Sequence, residues 1–143
     1  LGNSDLEPGF PDAFFLGAWG GGFIETKNGS ETAFAFDNWR PNQRQWYFDV
    51  AVPKRISYWL WLMMGGYVNA KKNPKIALLI PAARFLEIEA AILPTRKSLS
   101  YDTAAGLHLY RLEWAGKETW NIPSQHPFAI HFELEAVYGR LAS

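Results

Sequence analysis

The sequence predicts a single, mainly β domain, an antiparallel or mixed sheet system of sandwich-like or β-roll form, with at most one short helix near residues 82–93. Three observations carry this prediction. Aromatic residues make up 16% of the 143 residues and include seven tryptophans, and large rings suit pleated, half-buried surfaces. Short apolar runs recur between Gly, Pro and Asn signals, and several of them alternate with period two. No internal repeat, linker or low-complexity segment divides the chain. Residues 1–12, rich in Gly, Pro, Asp and Ser, are expected to form an irregular arm, and residues 13–143 one globular domain.

Each element has its own signal. Phe14 to Trp19 is a short apolar segment, followed by Gly20-Gly21-Gly22, expected as a bend or bulge before a strand because the spacing and Lys-Ser/Thr of a phosphate-binding loop are missing. Asn28-Gly29 is the preferred pair for a two-residue hairpin turn, which would set Phe23 opposite Phe34 and Ile24 opposite Ala33. Asn28-Gly29-Ser30 is also a glycosylation sequon. Asp37 to Arg44 reads as a polar loop around Trp39. Next, Trp46, Phe48, Val50 and Val52 alternate with Gln45, Tyr47, Asp49 and Ala51, as in a half-buried strand ending at Pro53.

Ile56 to Met64 is apolar on both parities and reads as a central strand covered on both faces, and Ile76 to Ile80 as another strand. Between Ala82 and Leu93 the helix and strand periods compete, and the alanines and glutamates favour helix. Leu107 to Ile122 reads as a second hairpin with a three-residue loop at Ala115-Gly116-Lys117, pairing Leu112 with Trp120 and Tyr110 with Ile122. A final strand, Phe128 to Val137, is expected to turn Phe128, Ile130, Phe132 and Leu134 inward and His131, Glu133 and Glu135 outward.

Charge and composition narrow the function classes. Fourteen basic and fourteen acidic side chains cancel, so no overall field draws a polyanion, and nucleic acid is not an expected partner. The chain has no cysteine, which removes disulfides, thiolate nucleophiles and cysteine-based metal sites. The strongly apolar run from Ile56 to Met64 is far shorter than the ~18 residues of a membrane-spanning helix, so no membrane span is expected and the domain is read as soluble. The chain opens on Leu1, as expected of a processed or trimmed product.

Several residues are candidates for chemistry. Trp39 among Asp37, Asn38, Arg40, Asn42 and Gln43 joins a flat apolar ring to hydrogen-bonding groups, the mixture found in sugar sites and interface hot spots. Trp39, Arg40, Asn42 and Tyr47 are therefore the candidate binding residues, against the alternative that Trp39 folds back over the sheet as a plug. His126, His131 and Glu133 are weak candidate metal ligands, because a two-residue strand spacing of about 7 Å is wide for adjacent ligands. Glu25, Asp37, Asp49, Glu133 and Glu135 could supply a hydrolytic carboxylate pair, but nothing in their spacing brings two of them together. Ser57, Ser98 and Ser100 lack a nucleophile elbow. His108, placed on a strand face with Tyr110 and Leu112, reads as a half-buried, hydrogen-bonded histidine. No catalytic residue is assigned and no cofactor is expected.

The run LYRLEWAGKETW followed by PFAIHFELEA, within residues Leu107 to Ala136, resembles the C-terminal sheet of pseudopilins and minor pilins, which also place a Trp-bearing hairpin before a Pro-led final strand. The resemblance implies an assembly role in the cell envelope, although the long N-terminal helix of those families has no counterpart in these residues. Small, cysteine-free β domains are also similar, as a class, to inhibitor and immunity proteins. The expectation is therefore a non-enzymatic protein-binding or assembly module, or an inhibitor- or immunity-type protein, whose partner is another protein, with a periplasmic or secreted setting favoured over the cytoplasm. The alternatives are a carbohydrate-binding module using an exposed tryptophan and a carboxylate- or metal-dependent hydrolase.

Overall fold

The computed structural model describes residues 9–17, 20–66, 72–117 and 119–126. A mixed sheet is built from β1 (Ala13–Gly17), β2 (Gly20–Asn28), β4 (Ser57–Met64), β5 (Ile76–Pro81), β7 (Arg111–Gly116) and β8 (Thr119–Asn121), in the order β1-β2-β4-β5-β7-β8. A small second sheet pairs β3 (Ala33–Ala35) with β6 (Ser98–Ser100). The β2–β4 pair is parallel and the other pairs are antiparallel. A parallel pair needs a long crossover. It is supplied by β3, a 3₁₀ turn at Phe36–Asn38, α1 (Pro41–Trp46) and a π-helical turn at Tyr47–Ala51.

The strand-rich, mixed character agrees with the sequence, but several expectations need correction. The first hairpin does not form. Gly29 N–H donates to the Met63 carbonyl at 2.7 Å, extending the β2–β4 pairing, and the chain then turns so that β3 joins β6. The central strand β4 is apolar on both parities and needs two neighbours, and β2 offers it a seven-residue register from Gly22 with Ser57 to Asn28 with Met63. Phe34 is thereby sent into the core against Phe85, with ring centroids 6.1 Å apart, and away from Phe23.

The expected strand over Gln45–Val52 is helical. Arg40 is extended and Pro41 opens the first turn, where its missing N–H costs nothing. Gln43 Oε1 accepts from the Arg40 amide at 2.9 Å. Trp46, Tyr47 and Ala51 are buried while Phe48 and Val52 face out, which is helical spacing that the alternating pattern conceals. One short helix is also too few. The expected α2 (Ala82–Ile92) is joined by α1 and by α3 (Tyr101–Ala105), which starts at Ser100, whose Oγ accepts from the Thr103 amide at 3.2 Å.

The second hairpin forms where expected, with Trp120 opposite Trp114 and Asn121 opposite Glu113, a register two residues from the expected one. A two-residue shift keeps every side chain on its face, so Leu112 and Trp120 still share one. His108 lies in an exposed turn before β7 and not on a strand. The expected final strand over 128–137 lies outside the described residues.

The large sheet buries both faces at its centre. Tyr58, Leu60, Leu62 and Met64 of β4 and Ile76, Leu78 and Ile80 of β5 pack under the helices and the small sheet. Trp59, Ala77, Leu79 and Leu112 form a second cluster on the opposite face, joined by Trp61 and Trp120, whose rings meet edge to face at 5.7 Å. No helix among the described residues is long and apolar enough to cross a membrane.

Candidate functional site

The four candidate binding residues are split between core and surface. Trp39 has no exposed surface: its ring lies 5.8 Å from Phe85 and 5.9 Å from Tyr58, and its Nε1 donates to the Tyr58 hydroxyl at 3.4 Å. The Arg44 guanidinium covers the ring at 4.8 Å. Trp39 is the plug over the sheet, and no exposed stacking platform forms at it. Tyr47 is buried beside it, with ring centroids 5.7 Å apart, and burial pushes its hydroxyl pKa up. Arg40 and Asn42 are exposed where the chain enters α1.

Of the weak metal candidates, His126 is fully buried and edge-on to the Tyr110 ring at 6.2 Å. Desolvation lowers its pKa, opposed by hydrogen bonds to the backbone of Tyr110 and Leu79, so it is held as a neutral core imidazole. His131 and Glu133 lie outside the described residues. Among the described residues no three His, Cys, Asp or Glu side chains gather in a group that could hold a metal ion.

Strand pairing builds a different cluster. The β1–β2 register opens with Ala13 opposite Ile24, so Asp12, one position earlier, stands across from Glu25. Glu25 shares the helix-covered face of β2 with Phe23 and lies beside Leu60 of β4. It is 1% exposed, whereas Asp12 is exposed. The Asp12 amide donates to Glu25 Oε2 at 3.1 Å, and the Thr26 amide and hydroxyl each donate to Asp12 Oδ2 at 2.9 Å. Lys27, two residues along and on the same face as Glu25, brings its Nζ to 3.7 Å from Glu25 Oε1.

These contacts leave Glu25 short of compensation. Burial is the main cause that raises its pKa to about 7, and the Asp12 charge adds to it. Lys27 and the Asp12 amide pull the other way, while the nearby Asp12 carboxyl group again favours the protonated form. Tyr58 is likewise pushed up, chiefly by burial and further by the Glu25 and Asp12 charges. The neighbouring wall is aromatic: the Phe23 ring lies 5.3 Å from Trp46, and Trp46 lies 6.1 Å from Tyr58. The buried Trp46 Nε1 has no hydrogen-bond partner among the described residues.

A second buried carboxylate, Glu89 of α2, is treated differently. Arg44 of α1 meets both of its oxygens, with Nη1 to Oε1 at 2.7 Å, and also donates to the carbonyls of Trp39 and Phe36. This fork ties α1 to α2 and the 3₁₀ turn, and it leaves the guanidinium no part in ligand chemistry.

Sequence reasoning placed Glu25 among many carboxylates and left Asp12 in the arm. The available signal was local: an acid and a lysine at i and i+2 share one face of a strand, and an aspartate directly precedes the strand before it. No family model matches the chain, and no significant match is found among curated proteins or solved structures. The function is therefore argued from the geometry alone.

Proposed function

We propose that the chain is a hydrolase of phosphate esters in which Asp12 and Glu25 hold a divalent cation and Lys27 meets the anionic substrate. The carrying observation is the register that sets Asp12 across from the buried Glu25, with the Asp12 amide 3.1 Å from Glu25 Oε2 and an ammonium 3.7 Å from Glu25 Oε1. Two carboxylates with no histidine or cysteine fit Mg²⁺ or Mn²⁺, which complete their shell with water and substrate phosphate, better than Zn²⁺. The cation would polarise the phosphoryl oxygen and lower the pKa of a bound water. Lys27 would offset charge that develops on the phosphoryl group. The raised Glu25 pKa supports this reading, since a cation, like a proton, would offset the buried carboxylate charge, the main cause of the shift, as well as the smaller repulsion from Asp12.

Hydrolysis of bis(p-nitrophenyl) phosphate, followed with Mg²⁺, Mn²⁺ or EDTA, tests the proposal. Cation-dependent turnover that is lost in Asp12→Asn and reduced in Lys27→Met is expected. No turnover with any cation, or turnover that EDTA leaves intact, would overturn it.

The protein-binding reading retains one supporting observation. Phe48 and Val52, four residues apart on the helical segment, are 50% and 48% exposed and form an apolar pair. If that pair docks a protein, Phe48→Asp should abolish co-purification of the partner from the native source without affecting the carboxylate chemistry.

A further inference from the structure

Beyond Lys27 the strand β2 ends in an open cleft of about 450 Å³, lined by Asn28, Ser30, Asp37, Asn38, Arg40 and Ser98 among others. Its frame is fixed by the backbone. Asn38 Nδ2 donates to the Asn28 carbonyl at 2.8 Å, and the Phe36 amide donates to the Lys97 carbonyl at 3.1 Å. At Gly29 a Cβ would stand 2.6 Å from the Ala33 carbonyl oxygen, so the turn that forms one wall tolerates only glycine. The rim carries a guanidinium and a carboxylate, Arg40 and Asp37, and neither takes part in an ion pair among the described residues. Both are exposed, in contrast to Arg44, four residues after Arg40, which is wholly engaged. Asn28 stands three positions after Glu25 on β2, an odd step that sets the two side chains on opposite faces of the strand.

We infer that this cleft is a sugar-phosphate subsite, in which Arg40 pairs with a phosphate and Asp37 and Asn38 accept from or donate to neighbouring hydroxyl groups. A guanidinium fork suits phosphate, and a carboxylate beside it suits hydroxyl donors, so the lining matches an anion that carries a polyol better than a bare anion. The inference goes beyond the phosphate-ester reading and does not need it, since the cleft is lined by neither Asp12 nor Glu25. Its recognition chemistry stands apart from that reading and is tested separately.

Titration calorimetry with ribose 5-phosphate, ribose and inorganic phosphate on the intact chain decides it. Ribose 5-phosphate should bind more tightly than either fragment. Arg40→Ala should weaken it about tenfold, the scale of one charge-assisted hydrogen-bond pair. Asp37→Asn should weaken ribose 5-phosphate but not inorganic phosphate. Both residues are exposed, so the variants should keep the wild-type melting temperature, which is checked first. Asp12→Asn should still bind ribose 5-phosphate, so a failure of the catalytic proposal would leave this result standing. Equal affinity in wild type and Arg40→Ala, or binding of inorganic phosphate as tight as ribose 5-phosphate, would overturn the subsite.

Discussion

Glu25 and Glu89 are both buried glutamates, and their surroundings differ in how completely each charge is compensated. Glu89 faces a guanidinium that meets both of its oxygens and is itself held by two backbone carbonyls. Glu25 faces a second carboxyl group and a single ammonium at 3.7 Å, in an aromatic wall. The first arrangement closes its own electrostatics and needs nothing more. The second is compensated less completely, and burial raises the Glu25 pKa to about 7.

The largest expected effect is on the structural side. Glu89→Ala would leave the part-buried Arg44 charge without its partner and should cost about 3 kcal/mol in denaturant unfolding, the low end of the penalty for breaking one half of a buried pair. A loss under ~1 kcal/mol would show that Arg44 finds compensation elsewhere and would blur the contrast.

Glu25 should behave in the opposite sense. Its pKa rises from 4.5 to about 7 on folding, so the folded state holds a proton that the unfolded state releases. The contribution to stability is fully present below pH 4.5 and is lost as pH rises to about 7. By linkage the change amounts to at most about 3 kcal/mol. Unfolding of the wild type should therefore become easier across that window, and in Glu25→Gln this part of the pH dependence should vanish. A divalent cation at 100 times its dissociation constant should restore about 2.7 kcal/mol to the wild type. Asp12→Asn should abolish that gain, which thermal melts with and without Mn²⁺ would show.

The smallest effect serves as a control away from both carboxylates. Ser100→Ala removes the cap of α3 and should cost about 1 kcal/mol, with no change in pH dependence or cation response. A cation response altered by Ser100→Ala would mean that stability in general, and not the carboxylate pair, governs it.

Much of the scaffold was legible in the sequence because its signals were local. The run from Ile56 to Met64, apolar on both parities, announced a strand buried on two faces, and β4 is that strand. The alanines and glutamates of 82–93 announced α2. What stayed hidden depended on long-range pairing. Asn28-Gly29 is a strong hairpin signal, but the demand of β4 for a second neighbour outweighed it. The alternation from Trp46 to Val52 matched a strand in residue type alone, whereas helical burial selects Trp46, Tyr47 and Ala51 and leaves Phe48 and Val52 exposed. The candidate site was less legible still. Asp12 and Glu25 are thirteen residues apart, and only the β1–β2 register makes them neighbours. Trp39 offered the expected polar surroundings, but Arg44 and Phe85 enclose the ring.

Paired measurements on Glu25→Gln at pH 8 test the central claim most directly: unfolding free energy by denaturant, and cation-dependent hydrolysis of bis(p-nitrophenyl) phosphate. The predicted result is a protein more stable than wild type, by up to about 3 kcal/mol, that has lost hydrolysis. A variant less stable than wild type that retains hydrolysis would show that Glu25 is a structural carboxylate like Glu89, and the functional reading of the Asp12–Glu25 pair would be contradicted.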